Sequence, residues 1–215
     1  MTRLQSRFKS WGLASLVAIV AIAAGMLLSR AVMNRAEGPT LAKATLLNPA
    51  RPLPPVAFID DSGQPFGAER LRGRWSILFF GFTSCPDVCP TTLALLAQVE
   101  KKLADLPAAQ QPQVILVSVD PQRDTPAQLS KYIKSFSPTF TGITGEQAAV
   151  HEFALKMGVP VAITQLPDGS YTVDHSAAIF LVDPDGALRA LSSTPHDVSI
   201  IAEDYRSLVA AYPHT

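Results

Sequence analysis

The chain has 215 residues, with 18 Lys and Arg against 18 Asp and Glu, and carries no net formal charge. That balance, with no Lys- or Arg-rich run, excludes the electrostatic footprint of a nucleic-acid binder. Apolar residues make up 47% of the sequence, which is enough for a real core and excludes a disordered or repeat protein; the length suits one domain plus an extra segment.

The segment from Gly12 to Ser29, GLASLVAIVAIAAGMLLS, carries no charge. Its roughly 18 residues approach the minimum for a membrane-crossing helix. Arg3, Arg7 and Lys9 precede it, and Arg30 and Arg35 follow. Together these predict a cytoplasmic N-terminus (1–11), a transmembrane anchor (12–29) and export of the rest. In a bacterium this is a single-pass inner-membrane protein with its domain in the periplasm. The other reading is a cleaved signal peptide, since Ser29-Arg30-Ala31 offers a small-x-small site, but the run exceeds the usual signal core of about 7–15 residues. Too few residues precede it for a transit peptide. Residues 30–55 follow as a Pro-rich tether with no clear period, containing Pro39, Pro49, Pro52, Pro54 and Pro55; such a density favours an extended spacer. The exported domain is expected over 56–215.

Within it, Trp75–Phe82 and Val114–Val119 read as buried strands. Between them Leu96, Val99 and Leu103 sit at helical spacing, so the two strands should be parallel with a crossover helix. Thr125, Pro126 and Gln128 mark a second helix start, with Leu129, Tyr132, Ile133 and Phe136 on one face. Thr144-Gly145-Glu146-Gln147 repeats the capping signal, Val150, Phe153, Ala154 and Met157 repeat the stripe, and Gly158 ends it. Val161–Gln165 and Tyr171–Asp174 flank the turn signal Asp168-Gly169. Ala177–Val182 and Ala187–Leu191 flank Asp183-Pro184-Asp185-Gly186. A last helix carries Ile201, Tyr205 and Leu208. The fold class is α/β: a thioredoxin-like sandwich with a mixed sheet.

Cys85 and Cys89 are the only cysteines. They fall at the strand-to-helix junction in GFTSCPDVCP, where the helix N-terminus favours thiolate. At i and i+4 both sulfurs can reach one point. A structural disulfide here would close a loop of about five residues and contribute only about 2 kcal/mol, against about 3 for a loop of fifteen. A chemical role is therefore expected. Redox pairs are commonly spaced Cys-x-x-Cys; three intervening residues suit two sulfurs holding an ion at least as well as two sulfurs exchanging a bond.

Two thiolates need a third ligand. Of the four histidines, His151 is expected on a solvated helix face, His214 lies beside the C-terminus, and His196 is explained by capping or exposure. His175 stands between a hairpin strand and the run AAIFLV, with Asp174 or Ser176 available to orient its ring. Beside the cysteines it becomes the ligand candidate. Two thiolates and an imidazole form a soft set that favours Cu(I), and the imidazole can also hold Cu(II); zinc would usually want a fourth ligand.

CPDVCP at 85–90 followed by TTL, VDPQRDTP at 119–126 and DHS at 174–176, in that order, resemble the Sco/SenC family of copper-binding proteins. The resemblance covers roughly Val56 to the C-terminus, and the anchor and tether match the family layout. It implies a membrane-held thioredoxin-like domain binding one copper per domain through Cys85, Cys89 and His175. It also implies a metallochaperone role in building the dinuclear copper centre of cytochrome c oxidase subunit II. Other copper carriers or thiol reductants are further partners. Members deliver copper, reduce the target's cysteine pair, or do both. The leading reading is a transfer protein rather than a turnover enzyme. The alternative is an exported thiol–disulfide oxidoreductase with Cys85 attacking and Cys89 resolving. Asp120, Arg123 and Asp124 match another family motif and are read structurally first: Asp124 or Thr125 as a helix cap, Arg123 paired with a carboxylate. A peroxiredoxin would need Thr at 82 and Pro at 78, where this chain has Phe82 and Leu78.

Overall fold

The computed structural model describes residues 18–29 and 38–213. It divides into two units, 1–38 and 39–215. In the first, residues 18–29 form a helix, α1. The twelve described residues, at about 1.5 Å each, account for about 18 Å, against the roughly 30 Å of a bilayer's hydrocarbon core. Among the described residues no helix is long and apolar enough to cross a membrane. The expected single-pass inner-membrane placement is corrected accordingly; residues 12–17 of the expected anchor lie outside the described residues.

The second unit is built on the apolar strand β4 (Ser76–Gly81), every residue of which is buried. A strand that is apolar on both sides must be covered on both. It pairs in parallel with β5 (Gln113–Ser118), and α2 (Val88–Lys102) crosses between them, as expected from the two apolar runs. The strand β6 (Thr141–Thr144) continues the parallel set. On the other side β9 (Ile179–Val182) and β10 (Ala187–Ser192) run antiparallel, turning at Asp183–Gly186. The sheet is completed by β1 (Thr45–Pro52), β2 (Ala57–Asp60) and β3 (Pro65–Gly67), giving the order β1-β10-β9-β4-β5-β6-β2-β3. Part of the expected tether is thus an edge strand: β1 pairs with β10. An edge position tolerates prolines because the outward N–H has no partner to lose.

Three more helices cover the sheet: α3 (Pro126–Lys134), α4 (Gln147–Met157) and α5 (Val198–Ala211). Successive side chains of β4 point to opposite faces. Phe80 meets Phe153 of α4 on one face, with ring centroids 5.9 Å apart. Gly81 faces Cys89 of α2 on the other, where α2 packs against α5. Thr125 closes the expected capping box with Gln128, and Gly158, at φ 87°, ends α4 in the left-handed region that glycine tolerates. The cap expected at Thr144 is not formed. Thr144 belongs to β6, and Glu146 precedes α4 without a side-chain cap. The hairpin of β7 (Ala162–Gln165) and β8 (Tyr171–Asp174) stands apart as a two-stranded sheet.

Candidate metal centre

The chain leaves β4 at Gly81, turns through Thr83 and Ser84, and enters α2 at Val88. Cys85 lies on the turn, half-buried, and its N–H donates to the Phe82 carbonyl at 3.2 Å. Cys89 lies in the first turn of α2 and is 0% exposed. Pro90 is tolerated there because first-turn N–H groups have no helical acceptor. The orphan N–H of Cys89 instead points at the Cys85 sulfur, at 3.4 Å. The open end of α2 therefore points at Cys85. For Cys89 the expectation of a ready thiolate is corrected: burial pushes its thiol well up, and the hydrogen bond with Cys85 adds to the rise.

Across the groove, His175 follows β8. Its Nδ1 lies 2.9 Å from the Ser176 carbonyl oxygen, which can only accept. Nδ1 thus carries the proton, and the Nε2 lone pair faces the Cys89 sulfur at 3.5 Å. Ser176, through its backbone, is the orienting group; the Asp174 carboxylate lies near Thr164 Oγ1 and lines the groove. The imidazole is walled edge-on by Phe79 and Phe82, with centroids 6.3 and 5.8 Å away. Burial lowers its pKa, against the Ser176 bond and the Asp174 charge. The ligand atoms of Cys85, Cys89 and His175 all lie within 4.8 Å of one another. Cys85 and His175 line an open groove of about 280 Å³ that also has Pro86, Asp87, Val88 and Asp174 on its walls; Cys89 lies behind them, buried.

The three sequence-derived candidates therefore come together, and the other described histidines, His151 and His196, do not join them. His151 is half-buried rather than solvated, its Nε2 bonded to the Val119 carbonyl at 3.0 Å. His196 neither caps nor stands free: Nε2 bonds to the Ala177 carbonyl at 2.8 Å, while Asp197 caps α5. His214 lies outside the described residues.

The motif at 119–126 has two distinct jobs. Asp124, 0% exposed, is not a cap. It accepts from Thr83 Oγ1 at 2.5 Å, from Thr83 N at 3.1 Å and from Ser118 Oγ at 2.6 Å. It thereby fixes the turn two residues ahead of Cys85. Burial raises its pKa, opposed by those hydrogen bonds. Arg123 pairs with Asp120, as expected, and also reaches Tyr171. Sequence reading missed Thr83, Ser118 and Tyr171; the only signal was that their partners sit in a charged motif next to an apolar strand.

The SCO1/SenC family model matches residues 47–210. The chain belongs to that family. A protein of Stutzerimonas stutzeri is 40% identical over 156 residues, covering 72% of this chain and 75% of its own length. The chain spans only 62% of a mitochondrial SCO2 homolog from mouse and 48% of a SCO1 homolog from Arabidopsis thaliana. Among solved structures, Arabidopsis thaliana ScoI with copper bound is 33% identical at a TM-score of 0.70, covering 74% of this chain and 98% of that one. BsSco, described as having a disulfide switch and as a member of the Sco family of cytochrome c oxidase assembly proteins, is 28% identical at a TM-score of 0.60, covering 78% and 98%. The thioredoxin-like Sco fold, with its mixed sheet, is therefore the architecture of this chain.

The donor set of this SCO1/SenC protein fits a soft ion. Metal–nitrogen and metal–sulfur bonds of about 2.1 and 2.3 Å, at angles of about 109–120°, separate the two donors by about 3.6–3.8 Å. Cys89 Sγ and His175 Nε2 stand 3.5 Å apart. Gly81 leaves the room: a Cβ there would lie 3.1 Å from the Cys89 sulfur.

Proposed function

We propose that the chain is a copper chaperone that takes one copper ion on Cys85, Cys89 and His175 and passes it on during assembly of cytochrome c oxidase. The observation that carries this reading is the convergence of two sulfurs and one imidazole nitrogen, the nitrogen from a residue 86 positions beyond Cys89, within 4.8 Å of one another, with Cys85 and His175 facing an open groove. Copper is cargo here. Two soft sulfurs favour Cu(I), and the imidazole accommodates Cu(II) as well. The Cys89 proton is displaced by the entering ion, so uptake releases protons. Cys85 remains half-exposed, which lets a recipient's thiolate enter and draw the ion away. Asp87 and Asp174 on the groove walls favour an approaching cation. The copper-bound ScoI and the assembly role named for BsSco support the same reading. The finer proposal is that the recipient is the dinuclear copper centre of subunit II.

The test is uptake and hand-over. Reduced full-length chain should bind one equivalent of Cu(I), and His175→Ala should hold it far less tightly. The loaded chain should transfer copper to a reduced subunit II domain. A chain that takes up copper equally well without His175 removes that residue from the site.

A second reading has its own observation. Both cysteines are free, and the Cys85 sulfur accepts the helix N–H that would stabilise it as the attacking thiolate. On that reading the protein keeps the target's cysteine pair reduced. Cys89→Ser should then trap a mixed disulfide through Cys85. If that variant still supports oxidase assembly, exchange is dispensable.

A further inference from the structure

His175 is delivered by the β7–β8 hairpin, which has no backbone ladder to the main sheet. All four residues of β7 are exposed, and within the two strands only Val173 is buried. The position of the hairpin therefore rests on side chains. Tyr171, the first residue of β8, is where they gather. Its carbonyl accepts from Arg123 Nη1 at 3.1 Å. Its ring lies under the Arg123 guanidinium, 3.9 Å from carbon to centroid. Its hydroxyl donates to Asp120 Oδ1 at 2.8 Å. The other oxygen of Asp120, a residue 3% exposed, is held by Arg123 Nε. The same guanidinium sits 5.7 Å over the Phe82 ring. Phe82 in turn edges the His175 ring and accepts the Cys85 N–H. The loop after β5, the cysteine turn and the histidine hairpin thus meet at one planar cation. Its fork and flat face are features a lysine lacks.

We propose that Asp120, Arg123 and Tyr171 form a latch that positions His175, deciding whether the metal site has three protein donors or two. The sulfurs ride on α2 and the turn before it, which Asp124 also holds through Thr83. Opening the latch therefore removes the nitrogen donor and leaves the thiolates in place. Copper on two sulfurs alone has a free position for an incoming ligand. The metal half of the proposal rests on the copper reading above; the positioning half does not.

Full-length Arg123→Ala, Arg123→Lys and Tyr171→Phe test it. In Cu(II)-loaded wild type, pulsed electron paramagnetic resonance should detect the imidazole nitrogen. Arg123→Ala should lose that signature while X-ray absorption still counts two sulfurs, and copper affinity should fall by roughly 10–100-fold. Arg123→Lys, which keeps the charge opposite Asp120 but neither fork nor stack, should not restore it. In the copper-free chain, amide hydrogen exchange of β7 and β8 should quicken at least about tenfold in Arg123→Ala, with β4 and β5 unchanged. Arg123→Ala with wild-type imidazole signal and wild-type hairpin exchange overturns the latch. Should Arg123→Ala not fold, Tyr171→Phe decides by the same two readouts, and identity with wild type in both overturns the proposal. A wild type that takes no copper sinks the copper reading, and hairpin exchange still decides the positioning role.

Discussion

Gly81→Ala is the sharpest steric test of how the site is made. A Cβ at this position would lie 3.1 Å from Cys89 Sγ, from Leu116 Cδ1 and from Phe79 Cε1. Each approach is several tenths of an ångström inside ordinary carbon contact at about 3.5–4.0 Å. Those three residues are 0%, 1% and 0% exposed, so none can swing into solvent. Relief must come from moving the first turn of α2 away from β4, which shifts the Cys89 sulfur relative to His175. Overpacking of this kind costs about 1–3 kcal/mol. For a protein of this size that lowers the melting temperature by roughly 2–12 °C. The assay is thermal unfolding of the reduced, copper-free chain followed by circular dichroism, with Cu(I) affinity as a second readout. A melting temperature and an affinity both equal to wild type would refute the argument that the gap at Gly81 is what admits the sulfur.

Other perturbations separate the supports of the fold from the site. Asp204, 2% exposed, accepts the backbone N–H groups of Ala42, Lys43 and Ala44; Asp204→Ala strands the buried Ala44 N–H, leaves the two exposed ones to water, and should cost about 1–3 kcal/mol of unfolding free energy in urea. Thr125→Ala breaks the capping box of α3 and should cost only about 1 kcal/mol by the same measurement. Burial raises the folded pKa of Asp124 above its unfolded value, so the folded chain binds this proton more tightly. Its contribution to stability is full below the ordinary carboxylate pKa and is lost as pH rises through the folded value. Relative to Asp124→Asn, wild type should lose stability as pH rises above the ordinary carboxylate pKa of about 4; a difference independent of pH contradicts this. A Cys85–Cys89 disulfide consumes both sulfur donors, so oxidised protein should lose nearly all Cu(I) affinity in a chelator competition and regain it on reduction. Equal affinity in both forms contradicts a two-thiolate site.

What could be read from the chain follows the length and regularity of each signal. The strands β4 and β5 were legible because consecutive buried residues, six in β4 and five in β5, leave a nearly unbroken apolar run. The start of α3 and the end of α4 were legible because Thr125 with Gln128, and Gly158, act locally. The short strands β2, β3 and β6 were not, unlike β7, β8 and β9, which flank the Asp168-Gly169 and Asp183–Gly186 turn signals. β2 alternates over only four residues, β3 has three, and β6 contains a glycine. β1 was concealed by prolines that only an edge can accept. Thr144 carried a cap signal that pairing with Ile59 overrode. At the site, donor chemistry was visible in the residue types, whereas the supports were not. Asp124 lies 41 residues from Thr83, and Arg123 lies 48 from Tyr171; contacts at such separations come from the sheet order, which no local pattern encodes. The protonation of Cys89 also escaped, because depth of burial outweighs the helix terminus.

X-ray absorption on the reduced, full-length chain loaded with one equivalent of copper tests the central claim most directly. The account predicts two sulfur neighbours and one imidazole nitrogen, with the nitrogen lost in His175→Ala and a sulfur lost in either Cys85→Ser or Cys89→Ser. A spectrum with fewer than two sulfurs, or one unchanged when His175 is removed, would contradict it.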